Sequence, residues 1–310
     1  MSKIKGKSVY NSKDMEKISL VIPCFNERNA IEKTIDEINF LLGKTIHEIV
    51  VVDDGSFDGT YEILKNRKDI KLVRNPYNKG YGFSIKKGIL AATGEIIAIT
   101  DADGTYPIES ILLMVKKLEE GYDIVIGRRK NLKEFDPLVK KISRFLFKQI
   151  AQFVAGEKIL DVNSGLRVFK KNVIVKYFVN TSSGFSFSLS TTLIYILEGL
   201  SVCYHPIEYR PRIGKSKVKY LRDIMRSAQI LVETITLYNP IKIFILISGL
   251  ISALGFAILV ISGLSETLST SLGIMGFVIL QGIALYTFSL GLIALLLKKR
   301  ILNEKQNSNS

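Results

Sequence analysis

Between Ile243 and Leu297 the chain carries one charged residue, Glu266. Two apolar runs lie inside this stretch, 243–262 and 274–297. Each is close to the ~20 residues that a helix needs to cross the hydrocarbon of a bilayer. Uncharged runs of this length argue against a buried helical pair in a soluble core. The break between them, 262–271, is short and contains no Lys or Arg, whereas Lys242 precedes the first run and Lys298, Lys299 and Arg300 follow the second. The distribution of positive charge predicts a two-span hairpin in the cell membrane, with both chain ends in the cytoplasm and the small loop outside. Gly249 and Ala253 form one small-xxx-small pair on the first span, which either packs the hairpin or joins subunits in a homo-oligomer.

The start of the chain, Met1 to Ser8, is basic but leads into no apolar stretch. No cleavable signal is therefore expected, and the first ~235 residues are expected to remain cytoplasmic. Cys24 and Cys203 are far apart and fit a reducing compartment. His47 and His205 are the only histidines, which speaks against zinc chemistry. The formal net charge of +14 implies an anionic partner. Next to membrane spans, a lipid headgroup or a phosphate suits that charge better than nucleic acid does.

Upstream of the hairpin, strand and helix patterns alternate. Strands are predicted at 18–22, 46–52, 70–73, 95–100 and 123–126, with helices over about 27–42, 58–66, 80–92 and 107–120. Asn26 is the expected cap of the first helix. Such alternation builds an α/β domain, a mostly parallel sheet with helices on both faces, whose ligands sit beyond the carboxyl ends of the strands. Three segments fall at such ends: Pro23 to Glu27, Asp53 to Gly55, and Asp101-Ala-Asp103. Carboxylates at i and i+2 point to one side of a strand, and hard oxygen ligands suit Mg²⁺ or Mn²⁺ holding a diphosphate. Gly43-Lys44-Thr45 lacks the upstream glycine of a P-loop, and Gly80-Tyr-Gly82 lacks the third glycine of a dinucleotide fingerprint. Diphosphate binding then has to rest on carboxylates and a metal. Two further segments, 135–155 and 218–238, mix bulky apolar residues with Lys and Arg. Each reads either as a helix on a membrane surface or as an ordinary amphipathic helix of the core.

Val21-Ile-Pro-Cys-Phe-Asn-Glu27, Val52-Asp-Asp-Gly-Ser-Phe-Asp-Gly-Thr60, Asn78-Lys-Gly-Tyr-Gly82 and Asp101-Ala-Asp103 together resemble the successive signatures of family 2 glycosyltransferases. Asp161-Val-Asn-Ser-Gly-Leu-Arg-Val-Phe169 and Gly214-Lys-Ser-Lys217 are similar to the dolichyl-phosphate mannose and polyprenyl-phosphate sugar synthases within that family. The resemblance implies a GT-A-type (Rossmann-like) fold over 17–217, a basic segment before it at 1–16, a juxtamembrane helix at 218–240, spans over 241–297 and a tail from 298 to 310. It also implies an inverting transfer from a nucleotide-sugar donor to a polyprenyl phosphate.

By position in the motifs, Pro23, Phe25, Glu27, Val52 and Asp54 would hold the nucleoside. Asp101, Ala102 and Asp103 would meet the ribose and, through Mg²⁺ or Mn²⁺ on Asp101 and Asp103, the diphosphate. Arg129 and Lys217 match basic positions that contact phosphates. The Arg expected three residues before Gly214 falls on Pro211, and Arg212 is preferred over Arg210 for that role. Thr105 stands where the family often has Gln. Asp161 would position the acceptor phosphate or a basic residue, or cap a turn. Ser143, Arg144 and Arg167 are candidates to cradle the lipid phosphate. Processive polysaccharide synthases normally carry a Gln-x-x-Arg-Trp signature, and this chain has no Trp. A transferase acting on another lipid or hydroxyl acceptor and a non-enzymatic nucleotide-sugar sensor are the alternative readings.

Overall fold

The computed structural model describes residues 17–130, 138–184, 186–212, 220–264 and 269–307. Lys217 and the segment 1–16 lie outside these. The chain divides into two compact units, Met1–Lys148 with Lys158–Asp223, and Gln149–Glu157 with Ile224–Ser310.

The first unit is built on a seven-stranded sheet in the order β3-β2-β1-β4-β6-β5-β7. Its strands are β1 (Ile18–Cys24), β2 (Glu48–Asp53), β3 (Lys71–Arg74), β4 (Ile96–Ile99), β5 (Ile124–Arg129), β6 (Arg167–Lys170) and β7 (Val202–Ile207). All neighbours pair in parallel except β6, which runs antiparallel to both β4 and β5. The helices of this unit are α1 (Ile31–Leu42), α2 (Thr60–Leu64), α3 (Tyr81–Ala91), α4 (Ser110–Glu119), α6 (Lys171–Lys176) and α7 (Phe187–Leu197). Between α4 and α6, α5 (Leu138–Ala155) begins in this unit and ends in the second.

The two-residue repeat of β1 explains the layers. Ile18, Leu20, Ile22 and Cys24 face one side, where they share a core with Ile31, Ile35 and Ile38 of α1 and Ile111, Met114 and Leu118 of α4. Val21 faces the other side with Val50 and Val52 of β2, against Ile85 and Ile89 of α3 and Phe187 and Tyr195 of α7. Helices therefore cover both faces, as the alternation predicts.

In the second unit, α8 (Tyr220–Tyr238, of which 224–238 belong here) is followed by α9 (Pro240–Leu264) and α10 (Thr270–Asn307). Both α9 and α10 contain stretches long and apolar enough to cross a membrane. Large apolar side chains such as Leu250, Leu254, Phe256, Leu272, Val278 and Leu285 are exposed along them, which is what a lipid-facing surface presents. The two helices meet at Phe244 with Gly291, Gly255 with Leu280, and Ser262 with Gly273, an antiparallel order. At mid-length, Ser252 Oγ donates to Gln281 Oε1 at 2.8 Å and Gln281 Nε2 donates back to the Ser252 carbonyl at 3.2 Å. The one amide of the second span is thereby satisfied inside the hairpin.

Candidate active site

Strands β2, β1 and β4 lie side by side and run in one direction, so their carboxyl ends bring 53–55, 23–27 and 101–103 to one rim. Pro23 and Val52 are register partners there. The Val52 side chain packs down against α3, where a Cβ on Gly88 would meet it, so Val52 offers the rim its backbone. Phe25 is half-buried and meets Phe57 edge-on, ring centroids 5.9 Å apart, while Phe57 itself is 82% exposed. Asn26 is not the helix cap: Ala30 holds that position, without a side-chain cap. Asn26 instead adopts φ 52°, a left-handed conformation Asn tolerates. Its Oδ1 accepts from Phe57 N at 2.9 Å and its N–H donates to Ser56 Oγ at 2.9 Å, tying the two loops together.

Asp101 and Asp103 both sit at the end of β4. Asp103 is 4% exposed. Its Oδ1 accepts from the Thr105 amide at 3.1 Å and the Thr105 hydroxyl at 2.6 Å, so Thr105 holds this carboxylate from the protein side. Its Oδ2 faces Arg212 Nη1 at 3.3 Å, and Arg212 Nη2 donates to Glu27 Oε1 at 2.6 Å. Arg212 thus links the ends of β1 and β4. Arg210 points elsewhere, to Glu37 and Glu109. The Ala102 carbonyl accepts from Thr34 of α1 at 3.1 Å. Burial and the adjacent Asp103 charge push the Asp101 carboxyl up to about 7, with Tyr81, Arg129 and Arg212 acting against them. A cation at this pair would relieve the repulsion. Among the described residues no group of three or more His, Cys, Asp or Glu side chains forms a closed cage. Two hard carboxylates at a strand end suit Mg²⁺ or Mn²⁺ in the way a phosphate-held ion is usually bound, with the remaining ligands coming from phosphate and water.

Asp54 is used differently from a free carboxylate on the rim. It accepts from Asn75 Nδ2 at 2.7 Å, Lys79 N at 2.9 Å and Gly80 N at 2.8 Å, and so fixes the loop that leads into α3. Gly80 has φ 105°, which favours glycine. The first residue of α3, Tyr81, donates its hydroxyl to Asp101 Oδ1 at 2.9 Å. Gly165 lies against both groups: a Cβ there would come within 2.9 and 3.0 Å of the two Asp101 carboxylate oxygens and 3.0 Å of the Tyr81 hydroxyl. Gly165→Ala should therefore cut turnover by about 10²-fold, because displacing a charged group at a reacting centre by about 1 Å has that order of effect. The check is kcat at saturating donor, alongside a melting curve shifted by no more than a few degrees.

Arg129 and Asp161, read separately from the sequence, find each other. Arg129 Nε and Nη2 donate to Asp161 Oδ2 and Oδ1, both at 2.8 Å, and the Arg129 amide adds a 3.2 Å bond. Burial works to raise the Asp161 carboxyl, but Arg129 overcomes it and holds Asp161 below the usual range. Burial likewise opposes the Arg129 charge, which the neighbouring tyrosines and Asp161 more than restore. The guanidinium lies 5.3 Å from the Tyr209 ring, which meets Tyr106 edge-on. Tyr106 Oη accepts from the Gly165 amide at 2.7 Å and so ties this cluster to the Asp101 wall.

Arg167 corrects one expectation. It is fully buried and donates to the carbonyls of Ser164 and Val162 and to Thr192 Oγ1, so it cannot cradle a lipid phosphate. It holds the 162–164 turn that presents Gly165. The side chains of Ser143 and Arg144 are outside the described set.

Two acids able to share a cation, one Arg bridging acids and a second Arg oriented by a buried carboxylate make a site for an anionic, phosphate-bearing ligand. Residues 19–178 match the family description Glycosyl transferase family 2, and the chain belongs to that family. It is a glycosyltransferase, similar to the polyprenyl-phosphate sugar synthases. A dolichyl-phosphate hexose transferase of Haloferax volcanii is 28% identical over 206 residues, 65% of this chain and 86% of that one. An undecaprenyl-phosphate 4-deoxy-4-formamido-L-arabinose transferase of Yersinia pestis is 28% identical over 252 residues, 78% and 74% of the two chains. The fold is that of glucosyl-3-phosphoglycerate synthase from Mycobacterium tuberculosis. Its complex with UDP superposes with a TM-score of 0.58 at 20% identity, covering 71% of this chain and 80% of that one. The complex of the same enzyme with Mn²⁺, UDP-glucose and phosphoglyceric acid gives 0.57 at 21% identity, covering 71% and 79%.

Proposed function

We propose that this glycosyltransferase moves one sugar from a nucleotide-sugar donor to a polyprenyl phosphate, with inversion, at the cytoplasmic face of a membrane. The observation that carries the reading is the convergence of Asp101, Asp103, Glu27 and Arg212 on one rim, in a chain that continues into two helices long enough to span a bilayer. The relatives named for dolichyl and undecaprenyl phosphate support the acceptor. The Mn²⁺ and UDP-glucose complex of the structural neighbour supports the metal and the donor class.

In this reading Phe25, Pro23 and the backbone at Val52 line the nucleoside end, and Asp54 shapes the loop beside it. Asp101 and Asp103 hold Mg²⁺ or Mn²⁺, which would neutralise the charge that builds on the departing nucleoside diphosphate. Arg212 and Arg129 supply fixed positive charge to phosphate oxygens, and Asp161 keeps the Arg129 fork in place. Lys217 keeps its role by motif position alone. A polyprenyl phosphate is already anionic at neutral pH, so attack on the anomeric carbon needs no strong general base. A single displacement inverts that carbon. The residues 218–240 carry the catalytic part to the membrane surface, and 241–297 anchor it there.

The test incubates membranes containing the protein with radiolabelled nucleotide sugars, Mg²⁺ or Mn²⁺, and polyprenyl phosphate, followed by lipid extraction. One donor should place label in the organic phase as an acid-labile sugar phosphate lipid, and chelation should stop it. Label on a phosphate-free lipid would point to a hydroxyl acceptor, and no label from any donor would point to a sensor. Either result overturns the proposal.

A further inference from the structure

Neither the sequence motifs nor the relatives assign any role to Tyr81. We propose that Tyr81 is a positioning residue, whose hydroxyl turns the Asp101 carboxylate so that one oxygen is held by the protein and the other is left for the cation and diphosphate. This rests on the metal-dependent reading above.

Three observations place it. The first is the hydrogen bond itself, Tyr81 Oη to Asp101 Oδ1 at 2.9 Å across twenty residues of sequence. The second is symmetry of treatment: Thr105 Oγ1 holds Oδ1 of Asp103 at 2.6 Å, so each acid of the pair gives one oxygen to a hydroxyl. The third is how firmly Tyr81 is held. Asp54 fixes the amides of Lys79 and Gly80 just before it. Immediately after it, the Gly82 amide donates to the Gly184 carbonyl at 3.1 Å and the Phe83 amide to the Ser183 carbonyl at 2.8 Å. The start of α3 is clamped from both sides, and Gly165 lies against both the Asp101 carboxylate and the Tyr81 hydroxyl, where a Cβ would crowd them. The three hydrogen bonds to Asp54 thereby gain a purpose, because they set the origin from which the Tyr81 ring reaches Asp101.

The ring also packs against the core on the α3 side of the sheet, which is the competing explanation for its presence. Tyr81→Phe separates the two, because it keeps the ring and removes the hydroxyl alone. The full-length protein in detergent is melted with and without Mn²⁺, and Mn²⁺ affinity is measured by electron paramagnetic resonance. Wild type should bind Mn²⁺ and gain melting temperature from it, and Asp103→Asn should lose both. Tyr81→Phe should melt like wild type without metal, bind Mn²⁺ about tenfold more weakly, in the range found when an outer-shell partner of a ligand is removed, and show a smaller Mn²⁺-induced rise. Equal Mn²⁺ affinity in Tyr81→Phe and wild type overturns the assignment while leaving the metal site standing. A loss of melting temperature that is the same with and without Mn²⁺ makes Tyr81 a core residue only. Mn²⁺ binding that is absent from wild type, or indifferent to Asp103→Asn, removes the metal reading and this assignment with it.

Discussion

Replacing Asp103 by alanine should lower sugar transfer by about 10³-fold or more while leaving the protein folded and in the membrane fraction. The size follows from the task assigned to the residue. Neutralising a leaving diphosphate through a metal is worth several kcal/mol, and each ~1.4 kcal/mol is tenfold in rate. The lack of a stability penalty follows from the geometry. Asp103 crowds Asp101, and this raises the Asp101 carboxyl, so deleting one acid removes a repulsion at the same time as it removes the contact to Arg212. Transfer assayed by lipid extraction, with a melting curve beside it, checks both halves. Retained transfer would withdraw the metal site.

Asp161→Ala should be the most damaging substitution for stability, by about 3–5 kcal/mol, because it leaves the Arg129 charge buried without its partner. Activity should fall with it, since the guanidinium is then free to rotate. The double change Arg129→Met with Asp161→Leu should recover most of the stability and none of the turnover, as replacing a whole buried pair by apolar residues commonly does. That contrast separates a structural ion pair from a functional one. The pH sign is also fixed. Asp161 is depressed in the folded protein, so its contribution is complete above about pH 4, the ordinary value of an unfolded Asp. It is lost only as pH falls through the lower folded value. Wild type should therefore lose stability more steeply than the double variant on acidification below about pH 4, measured by denaturant midpoint.

The buried strands of the first half were legible because β1, β2 and β4 are mostly apolar runs, with β2 ending in an acid and β4 leading within two residues to one, and a parallel sheet buried on both faces demands such runs. β3 and β5 also fall where strands were predicted, at 70–73 and 123–126, whereas β6 and β7 were missed. β6 opens on Arg167, a charge that breaks the apolar signature although the residue is fully buried, and β7 contains His205 and Pro206 and is only half covered. Arg167 was misread for the same reason: a lone Arg looks like a surface ligand until the carbonyls of Val162 and Ser164 are seen to surround it. Asp101, Asp103 and Arg212 could be named because motif order marks them. Gly165 and Tyr81 meet Asp101 through space, from sixty-odd and twenty positions away, and although each lies inside a quoted motif, nothing in either motif announces such a meeting. The one available hint for Gly165 was its place between Ser164 and Leu166 in a quoted motif, since a glycine outside a turn often marks the close approach of another group.

The bridge made by Arg212 has a consequence for the order in which the pocket is filled. Its guanidinium balances Glu27 and Asp103, and its Nε–H is buried without an acceptor among the described residues. At Asp103 that guanidinium would compete with a lone Mg²⁺ for the same carboxylate oxygen. With a sugar nucleotide chelating the ion, phosphate oxygens would be at hand to which Arg212 would turn. Free ion should then bind measurably but more weakly than ion and nucleotide together, so that saturation curves for the two should be interdependent rather than separable.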